Sequence, residues 1–294
     1  MNIVIANIHF LISSKDIPLL REPYRKTYAP FIADTMSSDE GSVNIDVSLE
    51  ITDFPSTDHI TRIFKTDSWS IFRNGNEYFW TDISSSLDKP TCLARFHRPI
   101  EKVKVYCGKE LFKEENGKKL LMNPFSYPLD QILLIYVLAE REGAFMHASA
   151  VDFNGKGYIF PGRSGAGKST ISRNFVLKNR EVLSDDRVAI RKIGGSFTVF
   201  GTPWSGDAEI AENRNLPLKG IFFIRQSDEI VIKELTPAEA AERIMPVTSI
   251  PWYDEEALSS ILSFCEDLVL HIPAYDLHFT PSTEVVDVLE KFLS

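Results

Sequence analysis

The 294-residue chain is poor in cysteine, has no long apolar run and carries no excess of positive charge; each shortage removes a class of function. Its three cysteines, Cys92, Cys107 and Cys265, are too few and too scattered for a disulfide framework or a four-ligand zinc site. They read as buried apolar residues in a reducing compartment. No stretch approaches the ~18 consecutive apolar residues of a membrane helix, so no membrane partner is expected. Residues 1–7 hold no basic segment ahead of an apolar one, so no signal peptide is expected. A net charge of -9 and a pI near 5.3 argue against a nucleic-acid partner, which favours basic surface. A cytoplasmic protein is the expectation.

What is present suits a soluble protein with a sizeable core: 44% hydrophobic and 25% charged residues, enough chain for one large domain or two ordinary ones. The organising stretch is Gly162-Arg163-Ser164-Gly165-Ala166-Gly167-Lys168-Ser169-Thr170, which satisfies G-x-x-x-x-G-K-[ST] at every fixed position. Residues 156–161 before it read as a short apolar strand, and residues 170–178 after it as the first turns of a helix. In that context the glycines let successive backbone N–H groups turn inward around the phosphates of a nucleotide. The positive end of the helix dipole assists them. The expected nucleotide-binding set is therefore Gly162, Ser164, Gly165, Ala166, Gly167, Lys168, Ser169 and Thr170. Lys168 reaches the β- and γ-phosphates and the Ser169 hydroxyl ligates Mg²⁺.

Residues 1–125 read mostly as strands, with alternating apolar positions over 2–11 and 42–51. Asn74-Gly75-Asn76 between two aromatic runs is a hairpin signal, because these residues tolerate φ > 0. Residues 91–97 and 102–107 form a further strand pair, and 14–41 a long loop with a short helical piece. The aromatics Trp69, Phe72, Tyr78, Phe79 and Trp80 read as sheet residues packed on a core more readily than as a substrate platform. His97 with Arg95 and Arg98 reads as a solvated edge. The charged stretch 113–119 is a turn or linker, so the division expected is a β-rich module, 1–125, and a second domain, 126–294.

In the second domain a helix runs from Pro128 to Glu140 behind Ser126 as N-cap. A strand over 143–151 turns back at Asn154-Gly155 into the strand feeding the Gly-rich loop. The run Val182-Leu183-Ser184-Asp185-Asp186 is an apolar strand ending in two carboxylates, where a phosphoryl-transfer site needs one near Mg²⁺ and one near the acceptor hydroxyl. Further strands follow over 188–200, broken at Gly194-Gly195, and over 220–225, with 230–234 as its expected partner. Thr236-Pro237-Ala238-Glu239 is a capping box opening a helix. Another helix is expected over 253–267, an extended segment over 269–279, and a last helix capped by Ser282.

With these residues placed, the stretch from about 143 to 190 resembles the catalytic domain of HPr kinase/phosphorylase and the HPr kinase-like group around it, which shares its nucleotide-binding core with phosphoenolpyruvate carboxykinase. The resemblance rests on His147, the 162–170 loop and Ser184-Asp185-Asp186-Arg187-Val188 at the family's spacing. The ending 272–279 followed by a helix also looks like that group. It implies an α/β (mixed α+β) fold with a P-loop core of this type, and a cytoplasmic kinase using ATP and Mg²⁺. By the resemblance, Ser169 and Asp185 hold the metal, Asp185 directly or through water. Asp186 accepts the proton of a substrate hydroxyl, Lys168 holds the transferring phosphate, and His147 stands beside the carboxylates. In place of the family's Gly-rich, Glu- and Arg-containing signature stand Gly201-Thr202-Pro203-Trp204 and then Asp207, Glu209 and Glu212, one of which is a candidate second metal ligand.

The acceptor implied is a serine of a peptide or small protein, with a small-molecule hydroxyl as the other option. Family members form hexamers, which leaves a homo-oligomer open. The competing reading is a nucleotide-binding accessory protein with little transfer activity.

Overall fold

The computed structural model describes residues 1–15, 17–20, 26–35, 39–83 and 90–294; parts of the expected 14–41 loop lie outside them. The protein is a mixed α/β chain with two large sheets and few helices. Its contacts divide it into two units. The first comprises Met1–Tyr24, Ile32–Val137 and Trp252–Glu255; the second comprises Arg25–Phe31, Leu138–Pro251 and Glu256–Ser294.

The first unit is built on a nine-stranded sheet of β1 (Asn2–Ile5), β2 (Ile8–Ser14), β3 (Ile32–Ala33), β4 (Val43–Glu50), β5 (Thr61–Lys65), β6 (Trp69–Asn74), β7 (Glu77–Asp82), β8 (Cys92–His97) and β9 (Lys102–Cys107), in the order β3-β1-β2-β4-β9-β8-β7-β6-β5. Residues 2–11 are not one strand. Ala6 and Asn7, both at positive φ (56° and 58°), turn the chain into a hairpin, as a type I′ turn requires. In the second hairpin Asn74 pairs with Glu77, so Gly75 (φ 59°) and Asn76 make the turn, within the expected 74–76 stretch.

Alternation sets the burial of this sheet: Ile45, Val47 and Leu49 of β4 are buried, while Asn44 and Asp46 are exposed. On β7 both faces are covered, and Tyr78, Phe79 and Trp80 are all buried, as core aromatics. Arg98 is not on a solvated edge. It is buried 3.3 Å from the fully buried Asp254, whose other oxygen accepts the Tyr78 hydroxyl at 2.6 Å. The 113–119 stretch is a hairpin, β10 (Phe112–Glu115) with β11 (Lys118–Leu121). Its cross-strand pairs Glu114–Lys119 and Glu115–Lys118 place opposite charges face to face. Helix α1 (Leu129–Ala139) then leads the chain from one unit to the next.

The second unit contains β12 (Gly143–Phe153), β13 (Lys156–Pro161), α2 (Lys168–Leu177), β14 (Val182–Ser184), β15 (Arg187–Ile193), β16 (Ser196–Gly201), β17 (Asn215–Gln226), β18 (Val231–Glu234), α3 (Pro237–Ile244), α4 (Glu255–His271), β19 (Ala274–Phe279) and α5 (Glu284–Leu293). Two long strands organise it. The first half of β12 pairs with β15 and its second half with β13 and β14. The start of β17 pairs with β16, its middle with β13 and its end with β19. The pairings β13-β12-β15-β16-β17-β13 thus close a ring, from which β19 and β18 extend.

The hairpin turns form as expected at Asn154-Gly155 (φ 53° and 77°) and Gly194-Gly195 (φ 55° and 79°). The partner of β18 is β19, not β17, because β17 already carries β13 on one edge and β19 on the other. The Thr236 capping box is present, with both reciprocal bonds made. Helix α4 continues through 269–271, which were expected to be extended. Helix α5 is capped at Thr283 rather than Ser282. The core joins Phe160, Ile171, Phe175, Phe222, Leu277, Phe279 and Leu289, fastening α2 and α5 to the sheet.

Candidate active site

Strand β12 and the turn between β14 and β15 place the site. His147 lies opposite Arg187 in the β12–β15 register, and Ala148 opposite Pro161 in the β12–β13 register. The ladder ends there, and the backbone N–H of Gly162 donates to the His147 carbonyl at 3.3 Å. The Gly-rich loop therefore leaves the sheet beside the imidazole. Gly165 (φ 81°) and Gly167 (φ 108°) take left-handed conformations that residues with a side chain adopt only under strain. A Cβ at Gly167 would stand 2.6 Å from the Phe279 ring.

Lys168 opens α2 and is buried. Its Nζ donates back to the carbonyls of Gly162 (3.1 Å) and Arg163 (3.4 Å) and lies 3.5 Å from Asp186 Oδ1. His147 Nε2 is 2.7 Å from the same oxygen. Arg187 Nε is 3.5 Å from Asp186 Oδ2, with its guanidinium over the Phe145 ring. Three basic groups thus converge on one carboxylate. Burial pushes the Asp186 pKa upward, but the His147 hydrogen bond and charge, with Lys168 and Arg187, outweigh it and hold the group below the ordinary aspartate value. Burial lowers the Lys168 amine, and Asp186 opposes this only in part.

Two adjacent aspartates end up in different surroundings because the turn is fixed from its base. Ser184 Oγ donates to the Arg187 carbonyl at 2.7 Å and accepts the Arg187 N–H at 3.3 Å. Asp185 is fully buried. Its Oδ1 accepts the N–H of Gly206 and its Oδ2 that of Ala208, both at 2.8 Å. It therefore anchors the 201–208 loop, in which Trp204 is buried edge-on against Phe145 and Tyr28. Asp207, Glu209 and Glu212 are exposed on this segment. No group of three or more His, Cys, Asp or Glu side chains suited to a metal occurs among the described residues.

The structure brings His147, Lys168 and Asp186 together, with the backbone of 162–167 beside them. Sequence reasoning missed Arg187 as a member of the site; its place next to Asp186 was visible, but its position opposite His147 comes from the strand register. It also missed the hold of Asp185 on the 201–208 loop, for which the sequence carries no local signal.

The resemblance read from the motifs is borne out. The chain is similar to the HPr kinase/phosphorylase of Chlorobium chlorochromatii (strain CaD3), 26% identical over 147 residues, which are 49% of this chain and 42% of that protein. The chain thus spans less than half the length of this curated relative. The chain is also similar to the solved HPr(Ser) kinase/phosphatase of Coxiella burnetii, over 51% of this chain and 87% of that one, at 10% identity and a TM-score of 0.30. Residues 111–294, more than half of the chain, match the model of the SynChlorMet cassette protein ScmC family. The chain belongs to that family.

Proposed function

We propose that this protein is an ATP- and Mg²⁺-dependent kinase that transfers the γ-phosphoryl group to a hydroxyl, with a serine of a peptide or small protein as the favoured acceptor and a small-molecule hydroxyl as the other. The observation that carries this reading is Asp186 Oδ1, shared between His147 Nε2 at 2.7 Å and the loop lysine Lys168 Nζ at 3.5 Å. A base and a phosphate-binding cation stand side by side at the mouth of a Gly-rich loop.

The residues fit the nucleotide's phosphates. Nothing lies within 4 Å of where a Cβ on Gly165 would be, so the loop backbone is open to a ligand. The Lys168 amine has only backbone carbonyls and Asp186 to leave. Ser169, and Asp185 through water because both of its oxygens accept backbone N–H groups, would hold Mg²⁺, which would supply charge neutralisation at the phosphates. Asp186, ionised at neutral pH, takes the acceptor proton as the acceptor oxygen bonds to the γ-phosphorus. The bond from that phosphorus to the bridging oxygen breaks, and ADP leaves with its electron pair. Lys168 and Arg187 offset the negative charge at the reacting centre. His147 orients the Asp186 carboxylate. We assign residues 1–125 to docking of the acceptor.

The second reading, a nucleotide-binding accessory protein with little transfer, is favoured by one observation: both oxygens of Asp185 are engaged by backbone N–H groups. Labelled MgATP with a host lysate separates the two. A kinase labels an acceptor with wild type. Label is absent with Lys168→Ala, and falls about 10²–10⁴-fold with Asp186→Asn, which still binds nucleotide. Nucleotide binding with no labelled acceptor selects the accessory reading.

A further inference from the structure

A cleft of about 400 Å³ adjoins the Gly-rich loop, and neither Lys168 nor Asp186 is among the residues that line it. Its walls include Gly162, Arg163 and Ala166 of the loop, Phe223–Arg225 of β17, and the end of α3 with Pro246 and Val247. The volume falls in the roughly 300–1,000 Å³ range of small-molecule sites. We propose that this cleft holds the nucleoside of the bound nucleotide, its purine ring lying on the apolar floor against the Arg225 guanidinium. This rests on the phosphate-loop reading above and goes further by naming where the base sits.

Three observations favour that occupant. First, the cleft shares its wall with the loop, so a ligand there is within covalent reach of phosphates seated on residues 162–168. Second, its chemistry suits a flat heteroaromatic ring attached to a sugar. Phe223, Ile224 and Val247 are buried apolar residues. The exposed guanidinium groups of Arg163 and Arg225 have no carboxylate partner among the described residues, whereas Arg243 is held by Asp276 at 2.8 Å. An unengaged guanidinium is planar and weakly hydrated, and it stacks on aromatic faces. Glu242 and Asp276 on the same wall offer oxygens to ribose hydroxyls.

Third, the cleft lies on the correct side. In sheet order Asp186 stands beyond β12, at the β14–β15 turn, and the cleft lies at β17, the other neighbour of β13. A nucleotide laid across the loop would point its γ-phosphate toward Asp186 and its nucleoside away from the acceptor, as in-line transfer requires.

Calorimetric titration of the full-length protein with MgATP and with magnesium tripolyphosphate, which has the phosphates but no nucleoside, tests this. Wild type is expected to bind ATP at least tenfold more tightly than tripolyphosphate. Arg225→Ala, an exposed position whose folding is checked by circular dichroism, is expected to weaken ATP about tenfold, equivalent to about 1.4 kcal/mol, and to leave tripolyphosphate unchanged. Arg225→Lys, which keeps the charge but not the planar group, is expected to lose most of the same affinity. Lys168→Ala is expected to weaken both ligands.

Equal wild-type affinities for ATP and tripolyphosphate, unchanged ATP binding in Arg225→Ala, or full ATP affinity in Arg225→Lys would each overturn the nucleoside assignment and leave the phosphate loop standing. So would a raised KM for the acceptor with ATP affinity intact, which would give the cleft to the acceptor. Wild type binding neither ligand overturns both.

Discussion

The carboxylate of Asp185 accepts the backbone N–H of Gly206 at 2.8 Å, and the space around that bond is closed. A Cβ on Gly206 would lie 3.0 Å from Asp185 Oδ2 and 3.1 Å from the Cβ of Asp186. The residue beside the candidate base therefore positions a loop. Asp185→Ala leaves two N–H groups unpaired and is expected to cost about 2–5 kcal/mol in urea unfolding. Asp185→Asn keeps one acceptor and should cost less. Equal stability of the alanine variant and wild type would remove the anchoring role.

Acid stability reports on Asp186. Its folded-state pKa is lowered once the pull of His147, Lys168 and Arg187 has overcome burial. The stabilisation it supplies is thus complete above the ordinary aspartate value, about 3.9, and is lost as pH falls through the lower folded-state value. The stability gap between wild type and Asp186→Asn should narrow between about pH 5 and about pH 2. A gap that widens in acid would reverse the sign assigned here.

The two left-handed loop glycines should respond differently. Gly165→Ala meets no neighbour within 4 Å and should cost only the handedness term, about 1–2 kcal/mol. Gly167→Ala drives a methyl to 2.6 Å from the Phe279 ring, and overpacking adds about 1–3 kcal/mol. Thermal unfolding of the pair checks the order, and the reverse order would contradict the loop geometry.

In the first unit, Asp254→Ala takes the carboxylate away from the buried Arg98 and should cost about 3–5 kcal/mol. Tyr78→Phe removes one hydrogen bond to the same carboxylate and should cost about 1–3 kcal/mol. Burial, then the bond to Asp254, pushes the Tyr78 phenol up to about 12. Absorbance titration of wild type against Tyr78→Phe should show one late-ionising tyrosine lost.

Local chemistry was legible before the fold. The Gly-rich loop between a strand and a helix, the turns at Asn154-Gly155 and Gly194-Gly195 and the Thr236 capping box each depend on a few neighbouring residues and on where φ is free to turn positive. The hairpins at Ala6-Asn7 and 112–121 were harder to see. The first lacks a glycine, and the second is made of charged residues whose pairing is across the strands rather than along the chain.

The sequence by itself determined that a Gly-rich loop, a histidine and a pair of aspartates would exist on strands and turns, because glycine, proline and hydrophobic period act over a few residues. Only the tertiary structure decided which aspartate turns inward, that Arg187 joins the site, that β18 takes β19 as partner, and that a cleft opens beside the loop. These depend on strand register and on which backbone N–H groups of a distant loop are buried, and register is settled by residues far apart in the chain meeting in one sheet.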